Sequence, residues 1–316
     1  MRRALLVGIN DYPAAPLTGC VNDAREMERL LRRHYDGRVN FDTQLLTSDG
    51  GLVTRARLRE GIDHLFADPA EVALLYFSGH GTENDLGGYL VTSDATVYDE
   101  GVALADVLTW ANCATHIGEV AIIVDSCHSG ALGGVPPVDN RQASLREGLS
   151  ILTASRSTQA ALEQGENGVF TELVCSALDG GAADILGNVS VAGVYAYVDQ
   201  AFGAWDQRPL FKSHVSRMLS LRSAKPAIDV AILRRLPQWF ADPGAELPLS
   251  RRHEYTAEPR DPEAEGVFQD LQRCNRVKLV EPVGVEHMYD AAMESTGCRL
   301  TALGRFYWRL ADAGRI

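Results

Sequence analysis

Cys127 and His80 are the two residues of this chain whose types and settings suit covalent chemistry together. Each stands just past an apolar run of strand length. Val120-Ala121-Ile122-Ile123-Val124 leads into Asp125-Ser126-Cys127-His128-Ser129-Gly130, and Val72-Ala73-Leu74-Leu75-Tyr76-Phe77 leads into Ser78-Gly79-His80-Gly81. A thiol attacks a carbonyl as the thiolate, and an imidazole in reach takes its proton and hands it to the leaving group. The backbone N–H groups of Gly81 and Cys127 are candidates for an oxyanion hole, each donor being worth roughly 2.7–4 kcal/mol. Gly79 and Gly81 allow a sharp turn and close approach of backbone to substrate. A lone cysteine at a strand end is more often inert core. The glycine-flanked histidine on a second strand moves the reading to catalysis. A zinc site from Cys127, His128 and His80 is the metal reading of the same residues, and it lacks a fourth ligand at suitable spacing.

For the two groups to meet, the strands that deliver them must be neighbours. Residues 4–9 read as a first strand closed by Asn10-Asp11-Tyr12-Pro13, and a helix follows with Met27, Leu30, Leu31 and Tyr35 on one face. Residues 41–46 read as a strand, and 54–66 as a helix with Thr54 as its cap. After the strand at 72–77, the Gly- and Asp-rich segment 85–99 suggests a small surface hairpin. A helix at 103–113, strands at 120–124 and 149–154, helices at 169–178 and 191–205, and a last strand at 209–215 complete the series. This alternation implies an α/β fold with a mostly parallel six-stranded sheet and helices on both faces, where chemistry collects at the strand ends. The long connection from 130 to 148 is Gly-, Pro- and Ser-rich, a length that is usually functional or disordered.

The 316 residues exceed what one core usually supports. The expected organisation is a domain at 1–222, a Pro- and charge-rich linker at 223–254 with one short helix, and a small C-terminal domain at 255–316. The net charge of −12 argues against nucleic acid or an anionic membrane as partner and suits a basic substrate. No apolar segment of signal-peptide or membrane-spanning length is present, since Asn10, Asp11 and Pro13 break the first run, so a cytoplasmic protein is expected. The six cysteines form no CxxC pair, which fits reduced thiols.

The strings Ser78-Gly79-His80-Gly81 and Asp125-Ser126-Cys127-His128-Ser129-Gly130 resemble the His and Cys motifs of the caspase-like cysteine peptidases. Leu6-Val7-Gly8-Ile9-Asn10-Asp11-Tyr12 and Gly19-Cys20-Val21-Asn22-Asp23-Ala24 place the resemblance nearest to the metacaspase and bacterial caspase-like branch, over about residues 2–220. The Gln-Ala that precedes the cysteine in animal caspases is absent. The resemblance implies a three-layer caspase-like sandwich, Cys127 as nucleophile and His80 as general acid/base. It also implies a pocket lined by Asp23 and Asp125 that selects Arg or Lys before the cut. Electrostatics agrees: two carboxylates converging in a partly desolvated pocket need a cation, and a guanidinium supplies one with bidentate geometry. Cleavage after Arg, with Lys weaker, is the expectation.

Further implications of the resemblance are Ser155 in the substrate groove and maturation by a cut in the 130–148 loop, where Arg141 and Arg146 match the enzyme's own preference. Some metacaspases bind calcium near the hairpin segment. Asp94 and Asp99 are the acids there, without a recognisable full ligand set, so no cofactor is expected and calcium stays an open alternative. The implied partners are protein substrates and an upstream activating protease or sensor, in bacterial stress response, cell death or antiviral defence. Simpler readings stand beside these: Asp23 as a helix cap, Asp125 as a solvated strand-end acid, and Arg141 and Arg146 as solvated loop charges.

The C-terminal stretch 298–308 is similar to the last helix of a winged-helix module, so the appendage is expected to be α+β or winged-helix-like. Its balanced charge favours packing or partner binding over DNA. The competing reading of the whole chain is a catalytically silent caspase-like scaffold that binds partners through this appendage.

Overall fold

Apolar runs bounded by turn residues become strands, and amphipathic stretches become helices, in near-regular alternation. The computed structural model describes residues 1–97, 99–126, 145–154, 163–164, 167–202, 209–216, 218–256 and 258–316. These form two units, Met1–Ala183 with Gly187–Lys225, and Asp184–Leu186 with Pro226–Ile316. In chain order the first unit runs β1 (Arg2–Gly8), α1 (Cys20–Leu31), β2 (Asp42–Thr47), α2 (Arg55–Ala67), β3 (Ala70–Ser78), β4 (Gly81–Asn84), β5 (Gly87–Thr96) and β6 (Asp99–Ala103). It continues with α3 (Leu104–Cys113), β7 (Ile117–Asp125), β8 (Leu149–Thr153), β9 (Glu163–Gln164), β10 (Asn167–Gly168), α4 (Val169–Ser176), β11 (Asn188–Ser190), α5 (Val191–Ala201), β12 (Leu210–His214) and β13 (Ser220–Ser223).

Six strands form the central sheet in the order β12-β8-β7-β3-β1-β2, all parallel except β12, which runs antiparallel to β8. The expected mostly parallel sheet is present, and its strands are apolar on both faces because helices cover both. Leu5, Val7, Leu75, Phe77, Ile122 and Val124 pack with Leu58, Ile62, Leu104 and Val107 of α2 and α3. The alternate residues Leu6, Leu74, Tyr76, Ile123 and Leu152 pack with Met27, Leu30, Phe170, Val174 and Val194 of α1, α4 and α5. Each fully buried aliphatic or aromatic side chain contributes roughly 1.5–3 kcal/mol. From β1 the chain goes to β2 on one side and to β3 on the other. The crevice at the carboxyl ends of β1 and β3 is therefore the topological switch point, where α/β sheets place their ligands.

Two local expectations are corrected. Tyr35 lies beyond the end of α1 and is exposed rather than on its buried face, because the chain leaves the helix for a bridge between Arg33 and Val39. The expected hairpin is a three-stranded antiparallel sheet, β4-β5-β6, that starts at Gly81, immediately after His80. Thr54 caps α2 as expected, its hydroxyl accepting from the Arg57 N–H at 3.3 Å.

The second unit contains α6 (Val230–Leu233), α7 (Leu236–Trp239), β14 (Glu246–Pro248), α8 (Pro262–Arg276), β15 (Val280–Val283), α9 (Met288–Met293), β16 (Gly297–Leu300) and α10 (Ala302–Asp312). Its antiparallel sheet has the order β14-β16-β15, an α+β arrangement. The segment 223–254 is not a linker: from Pro226 onward it is part of this unit, and Ile228, Leu233, Leu236, Phe240 and Leu249 are buried in its core. The prolines misled because they occupy places that tolerate them. Pro237 and Pro262 sit in the first turns of helices, and Pro248 ends an edge strand. The stretch 298–308 is likewise not one helix. It is the end of β16 followed by α10, with the Thr301 hydroxyl accepting from the Gly304 N–H at 3.1 Å as the cap between them. Among the described residues no helix is long and apolar enough to cross a membrane.

Candidate active site

Strands β3 and β7 pair in parallel with Ser78 opposite Asp125, and the pairing is extended by the Gly79 N–H donating to the Asp125 carbonyl at 3.2 Å. His80 follows Ser78 by two residues, and Cys127 follows Asp125 by two residues. The strands that carry the two candidate groups are thus neighbours in register. Cys127, His128, Ser155 and Arg141 lie outside the described residues.

The His80 imidazole is held through its Nε2, which lies 2.7 Å from the Ala15 carbonyl oxygen. A carbonyl oxygen only accepts, so Nε2 carries the hydrogen and Nδ1 of the neutral ring presents the lone pair. Its backbone is fixed as well. The His80 N–H donates to the Tyr12 hydroxyl at 3.0 Å, and its carbonyl accepts from the Val91 N–H at 3.0 Å. Ala15 and Tyr12 belong to the loop between β1 and α1. Gly81 opens β4 opposite Leu90.

Asp23 and Asp125 both approach Gly168 at the sheet rim. Gly8 lets α1 lie close on β1, since a Cβ there would run into the Cys20 carbonyl oxygen, and this brings Asp23 in the first turn of α1 to the sheet rim. Both acids are buried, at 2% and 8% exposure, which removes the reading of Asp125 as a solvated acid. Asp23 does not cap α1: Oδ2 accepts from the Ser78 hydroxyl at 3.0 Å and Oδ1 from the Gly168 N–H at 3.3 Å. Asp125 Oδ2 accepts from the Thr171 hydroxyl at 2.7 Å. Thr171 has spent its proton on Asp125, so the Tyr76 hydroxyl, 2.6 Å away, is the donor of that pair. Complete burial pushes the Tyr76 phenol well above its ordinary range, which keeps that proton in place. Gly168 stands at the convergence: a Cβ there would lie 2.8 Å from Asp125 Oδ2 and 3.5 Å from Asp23 Oδ2.

Arg146 is not a solvated loop charge. Its Nε donates to the Ala111 carbonyl at 2.9 Å, and its two terminal nitrogens donate to the carbonyls of Glu147 at 2.7 Å and Ile117 at 3.1 Å. The side chain ties the end of α3 to the start of β7, and a cut after Arg146 would require all three bonds to be given up. Asp94 and Asp99 are engaged by Arg55, whose N–H donates to Asp94 at 2.9 Å and whose guanidinium pairs with Asp99 at 2.5 Å. Among the described residues no cluster of three or more His, Cys, Asp or Glu is placed to hold a metal ion.

Tyr12, Ala15, Thr171 and Gly168 were not read as site residues from the sequence. Ala15 acts through a carbonyl that every residue has. Tyr12 stands in a motif string, but only the fold brings it against His80.

A family model described as the caspase domain matches residues 1–220. The chain is 32% identical over 171 residues to Metacaspase-1B of Aspergillus fumigatus, covering 46% of this chain and 40% of that protein. It is 34% identical over 145 residues to Metacaspase-4 of Arabidopsis thaliana, covering 42% and 34%. The chain thus matches less than half the length of these relatives. Among solved structures, a structural-genomics protein from Geobacter sulfurreducens superposes with a TM-score of 0.51 at 18% identity, over 71% of this chain and 99% of that one. Caspase-1 from Spodoptera frugiperda superposes with a TM-score of 0.50 at 11% identity, over 71% and 90%. These two likenesses concern the fold.

Proposed function

From a chain that belongs to the caspase-domain family, we propose a cysteine endopeptidase that cuts after arginine, and after lysine more weakly. The observation that carries this reading is the register of β3 on β7, which sets Ser78 beside Asp125 and so sends the segments bearing His80 and Cys127 from adjacent strand ends. In the proposed mechanism His80 Nδ1 takes the Cys127 proton, and the thiolate adds to the peptide carbonyl. The N–H groups of Gly81 and Cys127 receive the oxyanion. The imidazolium, steadied by the Ala15 carbonyl at Nε2, then protonates the leaving amine. Water hydrolyses the thioester with His80 as base.

Asp23 and Asp125 form the floor of the pocket for the arginine side chain, with Ser155 along the groove. Their convergence at Gly168 supports this assignment, since a guanidinium neutralises both and an aspartate would add a third negative charge. Self-processing, where it occurs, is assigned to Arg141.

The test is cleavage of fluorogenic peptides ending in Arg or in Asp, with Cys127→Ala and His80→Ala as controls. The Arg peptide should be cut at least about 100-fold faster, the ratio expected for a like-charge penalty of several kcal/mol. Both variants should be inactive. Cleavage of the Asp peptide alone would sink the pocket assignment, and cleavage of neither would favour the silent scaffold.

A further inference from the structure

Three hydrogen bonds close a ring around the backbone of His80. The His80 N–H donates to the Tyr12 hydroxyl at 3.0 Å, that hydroxyl donates to the Val91 carbonyl at 3.2 Å, and the Val91 N–H donates to the His80 carbonyl at 3.0 Å. The Tyr12 ring also lies against the imidazole, with centroids 4.6 Å apart and planes tilted by 57°. Tyr12 is 7% exposed and packs in the core beside Phe77 and Leu90. A tyrosine kept only for packing has no use for a hydroxyl aimed at the backbone of this one histidine.

The residue between β3 and His80 is shaped to the same hydroxyl. A Cβ at Gly79 would lie 2.5 Å from the Tyr12 hydroxyl oxygen and 3.0 Å from the Phe77 ring. Gly79 therefore has a reason apart from substrate approach: no larger residue leaves room for the tyrosine. The loop that supplies Tyr12 is itself anchored. The Asn10 amide donates to the Thr18 carbonyl at 3.0 Å and accepts from the Val21 N–H at 3.3 Å, the Leu17 N–H donates to the Asn10 carbonyl at 2.9 Å, and the Asn10 N–H donates to the Ser48 hydroxyl at 3.0 Å. The same loop carries Ala15, whose carbonyl holds Nε2. One rigid loop thus fixes the amide, the ring face and one ring nitrogen of His80. Burial pushes the Tyr12 phenol up, so its hydroxyl remains both donor and acceptor.

We propose that Tyr12 is a positioning residue for the chemical step: it sets the height and rotation of His80 at the rim, leaving Nδ1 as the ring nitrogen not held by Ala15, and does not touch substrate. This rests on the peptidase reading of Cys127 and His80. A displacement of about 1 Å of a catalytic group costs on the order of 100-fold in rate, so a device this specific acts on turnover.

The experiment compares wild type with Tyr12→Phe, which keeps the ring and removes the hydroxyl, and with Tyr12→Leu, which removes both. Steady-state cleavage of an Arg peptide is measured beside 15N spectra of labelled histidines, with His80 assigned through His80→Gln. The expected result for Tyr12→Phe is a kcat lower by about 10-fold with KM within about twofold, and for Tyr12→Leu a fall of about 100-fold, so that the ring alone partly restores the rate. The His80 signals should change from a single Nε2–H tautomer to an exchanging mixture while the other histidines stay put. An unchanged kcat together with unchanged His80 signals in Tyr12→Phe overturns the proposal, and so does a raised KM at constant kcat. If Tyr12→Leu does not fold, Tyr12→Phe decides alone. If wild type cleaves nothing, the peptidase reading fails, and the spectra still report whether Tyr12 holds the imidazole.

Discussion

The Thr171 hydroxyl donates a hydrogen bond to Asp125 Oδ2 at 2.7 Å, which joins the start of α4 to the end of β7 inside the proposed arginine pocket. Thr171→Val keeps the shape and removes the donor. A buried carboxylate that loses a hydrogen bond costs about 1–3 kcal/mol. The expected outcome is a KM for the Arg peptide raised about 10-fold with a smaller change in kcat, and recovery with Thr171→Ser, read by steady-state kinetics.

Gly168→Ala probes the same pocket by bulk alone. Gly168 has φ −70° and ψ 135°, a conformation any residue adopts, so the added methyl is opposed not by the backbone but by the two acids, Asp125 Oδ2 at 2.8 Å and Asp23 Oδ2 at 3.5 Å. Thermal unfolding should move little, within about 1 kcal/mol, while KM for the Arg peptide rises at least about 10-fold. A melting temperature that collapses with KM unchanged would place Gly168 in the scaffold instead.

Arg146→Ala separates structure from processing. Loss of three side-chain bonds to the carbonyls of Ala111, Glu147 and Ile117 should cost about 2–4 kcal/mol in urea unfolding. Intact mass after incubation should show the 130–148 nick surviving in Arg146→Ala and vanishing in Arg141→Gln. The reverse pattern would make Arg146 the scissile residue.

The second unit carries a pH dependence of its own. Burial pushes the thiols of Cys274 and Cys298 up to about 12. Their folded values lie above the unfolded value of about 8.5, so their contribution to stability is complete below that pH and is lost as pH rises towards 12. Melting of this unit should fall between about pH 9 and 12, followed by calorimetry. Brief iodoacetamide treatment at about pH 8 should label the exposed Cys113 and spare Cys274 and Cys298, as read by peptide mass spectrometry.

The strands that deliver His80 and Cys127 were legible because a parallel strand covered on both faces has to be apolar throughout, as 72–77 and 120–124 are. Asp23 and Asp125 were legible only through a family motif, since nothing local to either marks the other as its neighbour. Thr171 and Gly168 carry no local signal, for their role is the space they share with acids from two other elements. The segment from Pro226 was misjudged on proline content, which reports where backbone N–H groups are dispensable and not whether a segment has a core to join.

The order β14-β16-β15 also bears on how the protein is made. The middle strand of that sheet is the last of the three to leave the ribosome, so β14 has no partner until residues 297–300 have been translated. In that interval Leu233, Leu236 and Phe240 have emerged without the α8, β16 and α10 residues that later cover them. The first unit can complete its sheet as a nascent chain, whereas the second waits with an unpaired strand and apolar surface uncovered, the condition under which nascent chains are most exposed to aggregation.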